Sequence, residues 1–394
     1  MMVSRRVTGD PSVADAGTTI GRLWGQLATH LDVLPWRFTG GRREEFSSLA
    51  WVGSNIVPRV QAKKPDLVQL HWICAGFLRI EALARLPGPL VWRLADMWAF
   101  AGAAHYVGAD TRYRDGFERR PAEDRCPDLE RAVFERKRRT YARIDDLTVV
   151  TPSRWLARCA AESRLLGERR IEIIPTGQDL DTYRPIPTAT ARELLRLPPD
   201  VKLVMAASMG LGERRKGVRH LLDALETLRG SGYRLLLLGD PPATLPTLPV
   251  EAHWLGKLTD DLSLALAYSA ADVFVAPSLE ENLANTVIEA MACGVPCVAF
   301  DIGGMPDIVR PGVNGYLARP YESTDLARGI VAVLEAGEGY ARLAAEARAT
   351  VEREFSEPIQ ARRYAALYAE ILESRARRAQ AGAQAKIQRR LLKS

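Results

Sequence analysis

Hydrophobic residues along this chain follow two alternating patterns: short continuous runs rich in leucine and β-branched residues, and longer stretches with an apolar residue every three or four positions. Continuous runs suit strands buried on both faces, and the longer spacing suits helices laid over them. The alternation therefore predicts parallel sheets covered by helices. In the first half, DLVQLH (66–71), LVWRL (90–94), LTVVTP (147–152) and IEIIP (171–175) read as buried strands. Residues 128–143 and 153–163 read as helices, with Ser153 a candidate N-cap.

At TYRPIPTAT (182–190) two closely spaced prolines interrupt the rhythm, which predicts a linker. The rhythm then resumes with strands at KLVMAA (202–207), YRLLLLG (233–239), AHWLG (252–256), DVFVAP (272–277), PCVAF (296–300) and NGYLA (314–318). Two successive doubly wound units imply two Rossmann-like domains facing across a cleft, with ligands outside the carboxyl ends of the strands. The expected divisions are an N-terminal domain over 1–184, a C-terminal domain over 185–355, a helix over 356–373 and a tail over 374–394. Such a domain normally opens with a strand, a glycine loop and a helix. Here about sixty residues precede the first convincing strand. The first domain is expected to be incomplete, with residues 1–50 irregular.

A length of 394 residues suits two α/β domains. The net charge of +6 hints at nucleic acid, but residues 374–394 alone hold seven basic residues and no acid, so the rest is near neutral and that partner is set aside. The five cysteines (Cys74, Cys126, Cys159, Cys293, Cys297) show no CxxC spacing, which argues against a zinc site or disulfide framework. The opening MMVSRRVTGD has no apolar signal core, and no uncharged apolar run is long enough to span a bilayer, so a cytoplasmic protein is expected.

Candidate chemistry is densest in PSLEENLANTVIEAMACGVPCVAFDIGGMPDIV (277–309). A helix starting near Ala284 or Asn285 offers the free N–H groups of Asn285 and Thr286 to an anion. Glu281 lies in the loop before it and Glu289 on it, amid apolar neighbours, where a carboxylate needs hydrogen-bond partners such as ribose hydroxyls. The plainer alternative is a solvated Glu281 and a Glu289 that caps nearby backbone. Gly303 and Gly304 follow a strand and permit close backbone approach, to a ligand or simply in a turn. Arg214, Arg215 and Lys216 stand before a helix expected near Gly217, suited to a diphosphate or to a solvated loop.

The Glu281-to-Glu289 spacing resembles the EX7E motif of the retaining family 4 glycosyltransferases, which have the GT-B fold. PSRWLARCA (152–160), IIPTGQDLDTYRP (173–185), RKG (215–217) and EAMACGVPCVAFDIGGMPDIV (289–309) resemble that family in order and spacing. HWICAGF (71–77) and DMWAFAGAAHY (96–106) resemble a bacterial exopolysaccharide subgroup.

The resemblance implies a transferase that takes a sugar from a nucleotide-diphosphate donor, with retention, to a saccharide or lipid-linked acceptor. It implies that Glu281 binds the donor sugar, Glu289 the ribose, and Lys216 with Arg215 the diphosphate, with Asn285 and Thr286 completing that cradle and Lys257–Leu258 bordering the base. No cofactor or metal is implied, and the DLD at 179–181 is not a metal-binding motif. A terminal helix crossing back to the first domain is also implied. Where the family has an arginine six residues before the lysine this chain has Gly210, and Arg214 or Arg215 could substitute. Where the family has an active-site histidine this chain has Ala95, leaving Asp96 and His105, with His71 nearby, as the candidates in the first domain.

A catalytically weak nucleotide-sugar-binding protein that lacks the first strand–loop–helix, and a GT-B epimerase or phosphorylase, are the competing expectations. The basic tail is either a frayed end or a weak contact with an anionic inner membrane face.

Overall fold

Among the described residues, ten parallel strands stand where the ten apolar runs predict them, in two separate sheets. The computed structural model describes residues 10, 12–14, 19–39, 47–118, 128–207, 214–239 and 248–391. The chain divides into two units, one of Met1–Pro152, Leu156–Ile174 and Tyr364–Ser394, the other of Ser153–Trp155 and Pro175–Arg363.

In the first unit β1 (Val68–Leu70), β2 (Leu90–Arg93), β3 (Leu147–Thr151) and β4 (Arg170–Ile173) form a parallel sheet in that order. Before it lie α1 (Thr19–Asp32), α2 (Leu34–Thr39) and α3 (Val57–Ala62), so the expectation of irregular chain over 1–50 fails for residues 19–39. Leu23, Leu27 and Leu31 repeat at helical spacing along α1, with Leu23 and Leu27 exposed. Between strands run α4 (Arg112–Asp115), α5 (Leu129–Tyr141) and α6 (Arg154–Glu162). β3 is buried along its length, but β4 is a sheet edge whose Arg170 and Ile173 are exposed, a correction to the buried strand expected at 171–175. Arg170 covers that edge by pairing with Glu172 and with Glu370 of the last helix.

In the second unit the stretch expected as a linker is structured. Tyr183 is buried in the core, and α7 (Thr188–Leu194) starts within the stretch. Crossover segments, most of them helical, let successive strands lie parallel: β5 (Leu203–Ala207), α8 (Val218–Glu226), β6 (Arg234–Leu238), β7 (Ala252–Gly256), α9 (Asp261–Ala270), β8 (Val273–Ala276), α10 (Asn285–Ala292), β9 (Cys297–Phe300), α11 (Met305–Ile308), β10 (Gly315–Ala318), α12 (Ser323–Leu334) and α13 (Gly339–Glu354). Strand order is β10-β9-β8-β5-β6-β7. Strands after β5 go to one side and those from β8 to the other, so the order reverses between β5 and β8. Both faces are buried: Leu203 and Met205 of β5 enter one core, Val204 and Ala206 the other.

The last helix, α14 (Glu357–Leu391), is continuous, so the expected frayed end is helical through Leu391. From Tyr364 it belongs to the first unit, where Tyr364, Leu367 and Ile371 pack against Val91, Val150 and Ile174. After Leu372 the described side chains are exposed.

One glycine tests how tightly α12 sits on the second sheet. Replacing a helical glycine by alanine ordinarily gains about 1 kcal/mol. At Gly329, however, a Cβ would stand 2.5 Å from Cδ1 of Tyr316 and 2.9 Å from Cγ1 of Val298. Overpacking of that kind costs about 1–3 kcal/mol. Gly329→Ala should therefore lower the thermal midpoint, and a rise would show that α12 can lift from the sheet freely.

Candidate functional site

The carboxyl ends of β5, β8 and β9 place three loops side by side in the second unit. After β5, Arg214–Lys216 form one turn of 3-10 helix and lead into α8 through Gly217 at φ 64°. A Cβ at Gly217 would overlap the carbonyl oxygen of Pro277, and Leu279 N–H donates to the Arg215 carbonyl at 2.7 Å, so this loop lies backbone against backbone on the loop after β8. Lys216 Nζ thereby reaches Glu281 Oε2 at 2.8 Å. Arg215 Nη1 stands 3.4 Å from the same oxygen and donates to the Glu280 carbonyl at 2.9 Å. Glu281 is only 7% exposed, which removes the alternative of a solvated carboxylate. Two cations on one carboxylate leave net positive charge, and exposed Arg214 adds to it.

Gly303 and Gly304 are close to backbone as expected, but it is the protein's own. A Cβ on Gly303, at φ 52°, would overlap the Glu281 carbonyl oxygen, and one on Gly304 that of Asn282. Gly304 N–H donates to the Glu281 carbonyl at 3.2 Å. The glycine pair thus seats the glutamate. Asn282, buried, accepts from the Ser153 hydroxyl at 2.6 Å, while the N–H of Arg154 at the start of α6 goes to Asp307 Oδ2 at 2.6 Å. Ser153 stands at the helix start as predicted, with its hydroxyl turned to Asn282.

Helix α10 begins at Asn285, with no side-chain cap from Ala284. Asn285 is exposed and Thr286 half-buried. Glu289, also half-buried, accepts from the Tyr268 hydroxyl at 2.7 Å, so its partner is a side chain and not the backbone it was alternatively expected to cap. Burial pushes the Glu289 carboxyl up; the Tyr268 hydroxyl opposes the shift and the nearby Asp261 carboxylate adds to it. Lys257, exposed, and Leu258, packed on the core, follow edge strand β7, two positions from β5. Gly210 lies outside the described residues. In the DLD, Asp179 accepts from the N–H of Asp181 and the hydroxyl of Thr182, which occupies it in its own turn. Among the described residues no three His, Cys, Asp or Glu side chains are grouped to hold a metal ion, and no helix is long and apolar enough to cross a membrane.

In the first unit Asp96 and His105 come together: His105 Nδ1 lies 2.6 Å from Asp96 Oδ2, and Asp96 Oδ1 accepts from Trp98 N–H at 2.9 Å. The Trp72 indole N–H also points at Nδ1, but at 3.4 Å. A ring nitrogen that donates cannot accept, and the shorter contact assigns the proton to the Asp96 bond. Asp96 lines a small, open recess with His71, Trp72, Trp92 and Ala95. His105, 5% exposed, does not line it. Of the two candidates only Asp96 reaches the opening, and His105 orients it. Trp72, 50% exposed, forms an aromatic wall that the sequence did not single out. Tyr268 was also missed, because a tyrosine within an apolar helix carries no local sign of its carboxylate partner.

Residues 200–336 match the family described as glycosyl transferases group 1. D-inositol 3-phosphate glycosyltransferase of Nocardia farcinica is 33% identical over 208 residues, covering 47% of this chain and 46% of that protein. The enzyme of that name from Mycobacterium bovis is 30% identical over 291 residues, covering 66% of this chain and 57% of that protein. The chain thus spans about half the length of the curated relatives it matches. Among solved structures, sucrose-phosphate synthase from Thermosynechococcus elongatus is similar with a TM-score of 0.62 and 23% identity, covering 81% of this chain and 78% of that one. Anabaena HepE in complex with UDP gives a TM-score of 0.59 and 20% identity, covering 80% and 82%. The fold is that of the GT-B glycosyltransferases, as the resemblance implies.

The raised Glu289 carboxyl fixes a sign. A carboxyl whose folded value lies above its ordinary one favours the folded state when protonated, and loses that contribution as pH rises through the folded value. Glu289→Gln, neutral at every pH and still able to accept from Tyr268, should therefore raise the thermal midpoint at pH 7. The gain should shrink as pH falls toward the ordinary carboxylate range. A pH-independent difference would mean that the charge of Glu289 costs the fold nothing.

Proposed function

We propose that this protein is a retaining glycosyltransferase that holds a nucleotide-diphosphate sugar in its second unit and transfers the sugar to a saccharide or lipid-linked acceptor. The observation that carries the reading is the convergence of Lys216 and Arg215 on buried Glu281, at the reversal of strand order beside the start of α10. Open α/β sheets bind ligands at such reversals. An ammonium has three N–H donors; Glu281 takes one from Lys216 and leaves others for phosphate oxygens. The N-terminal N–H groups of α10 at Asn285 and Thr286 add donors without side-chain charge. Glu281, held from behind by Gly303 and Gly304, takes hydroxyls of the donor sugar. Glu289 keeps one oxygen on Tyr268 and offers the other to ribose. Lys257 and Leu258 border the base, and the Anabaena neighbours bound to UDP and UDP-glucose favour a uridine donor.

In the reaction the acceptor hydroxyl forms its bond to the anomeric carbon on the face from which the diphosphate leaves. The bond from that carbon to the phosphate oxygen breaks, its electron pair stays with the diphosphate, and the acceptor proton passes to the departing phosphate. Lys216 and Arg215 stabilise the charge that builds there, which fixed donors do without reorganising as water would. On the acceptor side we assign the recess of the first unit, where Asp96 offers a carboxylate held by His105 and Trp72 an apolar face.

Calorimetry with UDP tests the cradle. Removing one charge-assisted hydrogen bond costs about 1.5–3 kcal/mol, so Lys216→Ala should weaken UDP by roughly ten- to a hundredfold. Glu281→Ala should lower transfer more than UDP affinity. Wild-type affinity in Lys216→Ala would count against the whole assignment.

The basic sequence at the end of α14 supports a second element of the reading, a weak peripheral contact with the inner membrane face. Arg377 is paired with Glu373 and Arg378 with Asp146, and the tail carries five further basic residues, Arg375, Lys386, Arg389, Arg390 and Lys393. Each contributes about 1 kcal/mol near an anionic surface. Full-length protein should sediment with phosphatidylserine-containing vesicles at low salt, and release as salt rises. Deletion of 374–394 should abolish the binding; equal binding by the truncated chain would place the contact elsewhere.

A further inference from the structure

The segment from Met97 to His105 leaves β2 and closes on itself, with Met97 N–H donating to the His105 carbonyl at 3.0 Å. Asp96 stands before it and His105 ends it. Its backbone meets another segment at residues 47–48, where Ser47 bridges Ala104 and Ser48 N–H donates to the Ala103 carbonyl at 2.9 Å, and its other buried groups need partners elsewhere. One face of α5 supplies them. Lys137 Nζ donates to the carbonyls of Trp98, Ala101 (3.2 Å) and Gly102 (2.6 Å), and lies 3.7 Å from the centre of the Trp98 ring. Glu130, seven residues earlier and so two turns away on the same face, accepts the N–H groups of Ala103 (2.6 Å) and Ala104 (3.2 Å) through Oε2. Tyr141, one turn beyond Lys137, donates its hydroxyl to the Ala99 carbonyl at 2.8 Å. Where the two charged side chains meet the segment stands Gly102, whose Cβ would overlap the Glu130 carboxylate.

Packing alone does not call for this arrangement. Lys137 is 0% exposed, and enclosing an ammonium is costly where an apolar residue of similar volume would fill the space. Burial drives its ammonium down to about 7, a measure of that cost. Three carbonyl acceptors on one nitrogen fix the path of residues 98–102, and the carboxylate fixes the two residues before His105. We propose that Lys137 and Glu130 are positioning residues that set the Asp96–His105 pair at the recess of the first unit. This rests on the acceptor role assigned to that recess above.

The test uses the full chain with nitrogen-15-labelled histidine, and Lys137→Met, Glu130→Ala and Glu130→Gln variants shown to be folded by circular dichroism. In the wild type one imidazole should carry its proton on Nδ1 in a hydrogen bond that Asp96→Asn shifts; that signal is His105. Lys137→Met and Glu130→Ala should shift or broaden it, and Glu130→Gln, which keeps an acceptor oxygen for Ala103 and Ala104, should restore it. UDP affinity should be unchanged in all three. Folded Lys137→Met or Glu130→Ala with the wild-type His105 signal overturns the proposal, and should Lys137→Met not fold, the Glu130 pair decides. Failure of the acceptor assignment would look different: Asp96→Asn would turn over UDP-glucose as the wild type does, while the His105 signal still depended on Lys137 and Glu130.

Discussion

Everything at the candidate donor site depends on backbone lying against backbone where only glycine fits. The loop after β9 presses Gly303 and Gly304 onto the carbonyls of Glu281 and Asn282, and the loop after β5 presses Gly217 onto that of Pro277. With side chains at these positions the three loops would stand apart, and Lys216 could not reach Glu281 at 2.8 Å. The glycines act on geometry alone. They convert the reversal of strand order between β5 and β8 from a crevice into a site with fixed charges.

Those charges oppose stability. Glu281 is buried and satisfied only because Lys216 and Arg215 share it, so removing either partner disturbs the other. Glu289 has one hydroxyl partner and a neighbouring carboxylate, and burial holds its carboxyl above the ordinary range. A fold selected only for stability would place neutral groups here. A ligand bearing phosphate and vicinal hydroxyls would offset the net positive charge and offer partners to Glu289, which links the electrostatic cost to the proposed donor.

The first unit solves a different problem. Among the described residues its sheet has four strands, and the segment after β2 is irregular and buried, its own Trp98 enclosed together with Trp92 of β2. Hydrogen bonds from α5 hold that segment alongside the short pairing with residues 47–48, and they do so at the residues that follow Asp96. Stability of that irregular segment and placement of Asp96 are therefore one and the same set of contacts.

The sequence by itself determined the strands and many of the helices between them, and it pointed to the residues that the structure gathers at the candidate donor site, because those depend on local periodicity and on motifs a few residues long. All ten strands lie within the apolar runs or one residue beyond them, and α10 starts at Asn285 as its polar loop implies. Contacts between distant segments were decided by tertiary structure. The burial of β4 could not be read from IEIIP, since an apolar run looks the same at a sheet edge as at its centre. Tyr183 joins a core although two prolines follow it closely, because neighbouring helices supply the surface it packs on. Asp96 rather than His105 faces the recess, and Lys137 is enclosed by a segment some forty residues earlier; neither follows from spacing, because both depend on how a helix and a loop far apart in the chain share their polar groups.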